Sequence, residues 1–234
     1  MGGLGSAVGE AIALFAGLDD RLFDVVLLSL QVSGCAVVLG ALIGLPLGAW
    51  VAIAAFPGRS ALTVLLNGMM GLPSVVVGVI VYLALSRSGP LGSFGLLFTP
   101  TAMVIAQTIL SAPLMAALSR QIVEDSWRDY APELRSLRFT TRQSIGTLLF
   151  DCRFSLVVAV LAGLGRAMSE VGAVMIVGGN IDGHTRVMTT TIALETSKGD
   201  LPLAIALGMV LLAVVLALNM AAHVLRGWAM RRYG

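Results

Sequence analysis

Residues 25–55 read VVLLSLQVSGCAVVLGALIGLPLGAWVAIAA and contain no charged side chain. A helix needs roughly 20 apolar residues to cross a hydrocarbon core of about 30 Å, so this stretch is longer than one straight span requires. Gly44-Leu45-Pro46 within it predicts a kink; tilt or a second short segment would also use the surplus length. Four more apolar stretches follow, near residues 62–85, 100–118, 154–177 and 201–224. The second carries Gly71-Leu72-Pro73-Ser74, another expected break. The whole composition agrees. Hydrophobic residues make up 57% of the 234 and charged residues only 12%, against about 25% charge in a soluble domain, and the mean hydropathy is +0.94. The expectation is an all-α integral membrane protein of about five transmembrane helices, with residues 1–234 forming one domain.

Basic residues orient such a chain, because they collect on the cytoplasmic side. With the N-terminus outside, the inside segments hold Arg59, Arg120, Arg128, Arg135, Arg138, Arg142, Arg153, Arg226, Arg231 and Arg232. The outside segments hold only Arg21, Arg87, Arg186 and Lys198, and Arg166 lies within a span. The asymmetry predicts the N-terminus outside and the C-terminus in the cytoplasm. Met1 to Glu10 contains no Lys or Arg, so no cleavable signal peptide is expected, and the first membrane helix directs insertion. Ala7–Phe15, followed by Asp19-Asp20, reads as an amphipathic helix at the surface.

The one long inside loop, residues 119–153, mixes six arginines with Glu124, Asp125, Asp129, Glu133 and Asp151. Its apolar residues recur at helical spacing: Leu134 with Leu137, and Ile145 with Leu148 and Leu149. Such a segment is either a membrane-surface helix or a docking face for a cytosolic partner. The outside loop, residues 179–200, is turn-rich at Gly179-Asn180-Ile181-Asp182-Gly183.

Several chemistries are excluded. A phosphate-binding Walker loop ends in Gly-Lys-Ser/Thr, and Lys198, the sole lysine, is preceded by Ser197. No basic patch for nucleic acid stands out. His184 and His223 are isolated, and Cys35 and Cys152 form neither a disulfide framework nor a metal site; both read as small buried residues. Gln31, Asn67, Gln107, Ser111 and Asn219 within spans read as interhelical hydrogen-bonding groups.

The fourth stretch carries opposite charges. Gly163-Leu164-Gly165-Arg166-Ala167-Met168-Ser169-Glu170-Val171-Gly172-Ala173 places Arg166 and Glu170 four residues apart, on one face if the helix is continuous. An intramembrane charge costs at least about 2.5 kcal/mol, which marks it as a functional candidate. Two readings follow: mutual neutralisation that cements helix packing, or one or both residues lining a pathway through the membrane. The small residues around them predict a central place in a helix bundle.

These residues, continued through Val177-Gly178-Gly179-Asn180-Ile181, resemble permeases of type I ABC importers for oxyanions, a group that includes molybdate, sulfate and tungstate permeases. Thr185-Arg186-Val187-Met188-Thr189-Thr190-Thr191-Ile192-Ala193-Leu194-Glu195-Thr196-Ser197-Lys198-Gly199 is most similar to the tungstate branch. The resemblance implies a multi-pass subunit of a prokaryotic cytoplasmic (inner) membrane that is itself no enzyme and holds no cofactor. It implies a second copy of the permease, an ABC ATP-binding subunit that binds ATP and Mg, and an extracytoplasmic oxyanion-binding protein. It also implies a cytoplasmic Glu-Ala-Ala-x-x-x-Gly element that docks the ATPase. Here Asp129, Glu133, Leu134 and Leu137 occupy that region, but the alanines are mostly absent and arginine replaces the glycine. Tungstate is the expected cargo, with molybdate or sulfate as alternatives, all tetrahedral dianions of similar size. An ion-coupled secondary carrier is the competing class, and five spans without a detectable repeat argue against it.

Overall fold

The computed structural model describes Gly9 and residues 20–233; the surface helix expected over Ala7–Phe15 lies outside the described residues. Among the described residues all regular structure is helical: α1 (Asp20–Ile53), α2 (Arg59–Met69), α3 (Ser74–Leu85), α4 (Pro100–Ser136), α5 (Thr141–Asp151), α6 (Arg153–Met168), α7 (Gly172–Gly178), α8 (Met188–Lys198) and α9 (Leu201–Tyr233), with a short 3₁₀ turn at Gly92–Phe94. Three helices are long and apolar enough to cross a membrane, or up to five if the bent pairs α2–α3 and α5–α6 each count as one span.

The helix ends follow the sequence in most places. α1 passes through Pro46 without interruption, so the surplus length is spent in one long helix and not in a second segment. The break at Gly71-Leu72-Pro73 occurs as expected: Pro73 stands at the N-cap of α3, and a proline biases its predecessor away from helix. α4 opens on Pro100, where the missing N–H costs nothing. α9 opens after Asp200, whose carboxylate accepts the N–H of Leu203 at 3.2 Å.

The structure departs from the expected layout in places. The helix that starts at Pro100 runs beyond the expected span: α4 continues to Ser136 and α5 follows, in keeping with the helical spacing read in residues 119–153. The fourth stretch is not one helix, because α6 stops at Met168 and α7 starts at Gly172. The turn-rich loop at 179–200 contains α8. Cys152 is buried as expected, but Cys35 is exposed.

The chain divides into two compact units. One comprises Ala36–Leu72, Thr108–Ala167 and Ala221–Gly234. Here the second half of α1 lies against α4 along Gly40, Gly44 and Gly48. A Cβ on Gly44 would stand 2.6 Å from the Ala112 carbonyl oxygen, and one on Gly48 would strike the carbonyl oxygen of Ala116. Small residues at this spacing let helix backbones meet where lipid supplies no hydrophobic drive. Ser119 fastens the contact by donating to the Leu45 carbonyl at 2.9 Å. Of the polar residues expected to link helices, Ser111 here donates to Thr108 within its own helix.

The other unit comprises Met1–Cys35, Pro73–Gln107 and Met168–Met220. α3 crosses α7 closely enough that a Cβ on Gly78 would lie 2.8 Å from the Ala173 Cα. The Phe98 N–H donates to the Val177 carbonyl at 2.9 Å, and the ring meets Tyr82 edge-on at 6.1 Å. Ser29 on α1 accepts the N–H of Met188 at 2.8 Å, which ties down the start of α8.

Gly48→Leu is expected to separate α1 from α4 by overpacking a backbone contact, at a cost of about 1–3 kcal/mol. Thermal unfolding in detergent checks this, with Gly34→Leu, where a Cβ meets nothing within 4 Å, expected to unfold as wild type.

Candidate functional site

The residues expected to dock a partner lie where α4 ends and α5 turns back. α4 closes at Ser136, and Arg138 takes a left-handed φ of 56°. The Phe139 N–H donates to the Leu134 carbonyl at 3.0 Å, and Thr140 caps α5 through a reciprocal pair of bonds with Gln143. α5 then packs on α4: Leu148, Ile145 and Leu149 join Val123, Trp127 and Leu134 in a core that also takes in Ala49 and Ala52 of α1. The Ser126 hydroxyl and the Cys152 thiol meet at 3.0 Å.

This geometry separates the four expected residues. Asp129 and Glu133 are exposed. Leu134 is only 8% exposed and belongs to the core, whereas Leu137 is 60% exposed. Their i, i+3 spacing implies a shared face only while the helix continues, and Leu137 lies just past its end. The two leucines therefore do not share one exposed face: Leu137 is exposed, as are Tyr130 and Phe139, and Leu134 is not.

Arg166 and Glu170 are placed differently from the expectation too. They do not share a helix face, because the helix ends between them. Arg166, in the last turn of α6, donates from Nη2 to the Leu72 carbonyl at 3.1 Å. That carbonyl belongs to the α2–α3 break. Glu170, 6% exposed, accepts the Ala173 N–H on Oε1 at 3.0 Å, serving the first turn of α7 as a capping carboxylate does. The Thr189 hydroxyl donates to the Glu170 carbonyl at 2.8 Å. At the far end of α7, Thr185, fully buried, donates to the Gly178 carbonyl at 2.6 Å and accepts the Ile181 N–H at 3.0 Å.

Two further features escape a reading of the sequence. A 530 Å³ cavity is lined by Asp24, Gln31, Asp182, His184 and Arg186, among others; Arg186 pairs there with Asp182 at 2.8 Å. Arg59, Glu124 and Arg120 form a charged network. The i, i+4 spacing of Arg120 and Glu124 is visible in the chain, but nothing in the sequence brings Arg59 to them.

Leu134→Asp is expected to disrupt the α4–α5 core and lower the melting temperature of the detergent-solubilised chain, while Leu137→Asp leaves it unchanged; equal effects would contradict the separation. Thr189→Val is expected to destabilise by about 1–3 kcal/mol, because the buried Glu170 carbonyl loses its donor. Chemical denaturation of the same preparation measures it.

No family model matches the chain. The chain is 41% identical to the tungstate uptake system permease protein TupB of Peptoclostridium acidaminophilum, over 89% of this chain and 92% of that one. It is 44% identical to a probable anion ABC transporter permease protein of Haloferax volcanii, over 85% and 88% of the two chains. With the TupB protein of Campylobacter jejuni it shares 35% identity over 93% and 91%. Permeases named for sulfate and molybdenum transport match at 27% and 29%. These relatives are transport permeases and not enzymes, and the chain belongs to the family of anion ABC-transporter permeases that includes the tungstate uptake permeases.

Proposed function

We propose that the chain is the membrane-spanning subunit of an ATP-driven importer of a tetrahedral oxyanion, tungstate. The observation that carries the reading is the near full-length identity to two permeases named for tungstate uptake, at 41% and 35%. Two copies of the chain line the path in a prokaryotic inner membrane, with the N-terminus outside and the C-terminus in the cytoplasm. An extracytoplasmic binding protein delivers the anion, and a separate ATPase subunit binds ATP and Mg.

The ATPase docks on the turn between α4 and α5. Exposed Leu137, Phe139 and Tyr130 supply apolar contact, while Asp129 and Glu133 fix register more than affinity. The core beneath this turn packs α5 against α4 and the end of α1. Arg166 and Glu170 keep the two helix breaks ordered within the apolar segments.

Reconstitution tests the reading. Proteoliposomes holding the permease, the ATPase and the binding protein are expected to take up tungstate with ATP, and to be inhibited less by equal molybdate or sulfate. The permease alone is expected to take up none. Uptake by the permease without ATPase would instead mark an ion-coupled carrier. The double substitution Leu137→Asp with Phe139→Asp is expected to leave the permease folded and release the ATPase on co-purification; normal co-purification would remove the docking assignment.

A further inference from the structure

Arg59 opens α2, yet its guanidinium reaches back to the last turn of α1. Nε donates to the Val51 carbonyl at 2.8 Å and Nη2 to the Ala52 carbonyl at 2.9 Å. These lie among the carbonyls that a helix leaves without an internal partner at its C-terminus. The same Nη2 donates to Oε1 of Glu124 on α4 at 3.1 Å. The second carboxylate oxygen of Glu124 receives Arg120. One carboxylate on α4 is thus shared by two guanidiniums, and one of those also holds the end of α1.

The position of this network matters more than its strength. Ala52, whose carbonyl Arg59 holds, is also a member of the core beneath the α4–α5 turn, with Val123, Leu134 and Leu148. Glu124 follows Val123 directly. Movement of the α4–α5 segment therefore reaches α1 through two adjoining connections. The apolar one is non-directional and tolerates sliding. The charged one is directional, because guanidinium and carboxylate bond along fixed axes. It also includes the start of α2, which an apolar cluster of Val51, Leu66, Ala116 and Ala117 packs against α1 and α4 as well. The side chains of Arg59 and Glu124 are 37% and 25% exposed, and an ion pair so open to water contributes little to folding. A stabilising role accounts poorly for a network that spans three helix segments at so little gain.

We propose that Arg59 and Glu124 are positioning residues that carry movement of the α4–α5 segment to α1 and α2, and so tie ATP hydrolysis to translocation. The proposal rests on the reading of α4–α5 as the ATPase docking element. Arg120 is the second guanidinium on the shared carboxylate; its Nε is buried without a hydrogen-bond partner. The network is therefore richer in donors than acceptors, and Glu124 has an alternative partner when the segment shifts.

The complete assembly of permease, ATPase and binding protein, reconstituted in proteoliposomes with tungstate as the transported probe, tests this. The quantity read is anion taken up per ATP hydrolysed, for wild type, Arg59→Met, Glu124→Gln and Glu124→Asp. The Met and Gln variants are expected to co-purify with the ATPase, to hydrolyse ATP, and to keep the wild-type KM for loaded binding protein. Uptake per ATP is expected to fall about tenfold in Glu124→Gln, the order set by weakening one charge-assisted hydrogen bond, and at least as far in Arg59→Met, which also frees the Val51 and Ala52 carbonyls. Glu124→Asp is expected to recover part of the loss. Wild-type coupling in both Arg59→Met and Glu124→Gln overturns the proposal and leaves the importer reading standing. A loss of uptake that merely follows loss of assembled complex overturns it too. If the wild-type assembly takes up no tungstate with ATP, the importer reading itself falls, and the coupling role with it.

Discussion

A helix that stops inside an apolar segment frees backbone groups that lipid cannot satisfy. This constraint accounts for two charges placed at helix breaks. Arg166 supplies a donor to the Leu72 carbonyl at the α2–α3 break. Glu170 supplies an acceptor to the Ala173 N–H at the α6–α7 break, and Thr189 returns a donor to the Glu170 carbonyl. Arg59, more open to water, donates to the carbonyls of Val51 and Ala52 at the end of α1. Each charged group serves a helix end, where the dipole and the free groups favour its sign only in part: Glu170 suits an N-terminus and Arg59 a C-terminus.

Between the breaks the packing depends on how near two backbones can come. Gly40, Gly44 and Gly48 admit α4 to the surface of α1, and Gly78 admits Ala173 of α7 to α3. Gly163 on α6 does the same for the Met115 side chain, in keeping with the small residues that mark this segment. Short hydroxyls close gaps between helices: Ser119 to Leu45, and Ser29 to Met188. A short hydroxyl reaches a neighbouring carbonyl or amide only where the backbones are already close, so the two features come together.

The apolar stretches were legible because hydropathy is a sum over many residues, and a single misjudged position hardly moves it. The break at Leu72-Pro73 was legible because proline acts locally. The break after Met168 was not: the residues that favour it include Thr189, nineteen positions beyond Glu170, and its hydrogen bond forms only in the folded chain. The length of α4 was hidden for the opposite reason. Past Leu118 the helix becomes charged on its surface, which reads as loop in hydropathy although the helical spacing of its apolar residues persists. Leu134 and Leu137 have the same chemistry and adjacent places in the pattern; only the end of α4 at Ser136 sends one into the core and the other to the surface. Arg59 gave no sign at all, since its partners at Val51, Ala52 and Glu124 are set by the tertiary fold.

The claim that a buried carboxylate holds the start of α7 is tested most directly by hydrogen exchange. The assembled permease in nanodiscs is followed by mass spectrometry for the peptide covering Ala173, with wild type compared against Glu170→Ala. Faster exchange at the start of α7, with exchange in α1 and α4 unchanged, is the expected result. Unchanged exchange at Ala173 would contradict the account, because the amide would then owe its protection to something other than Glu170.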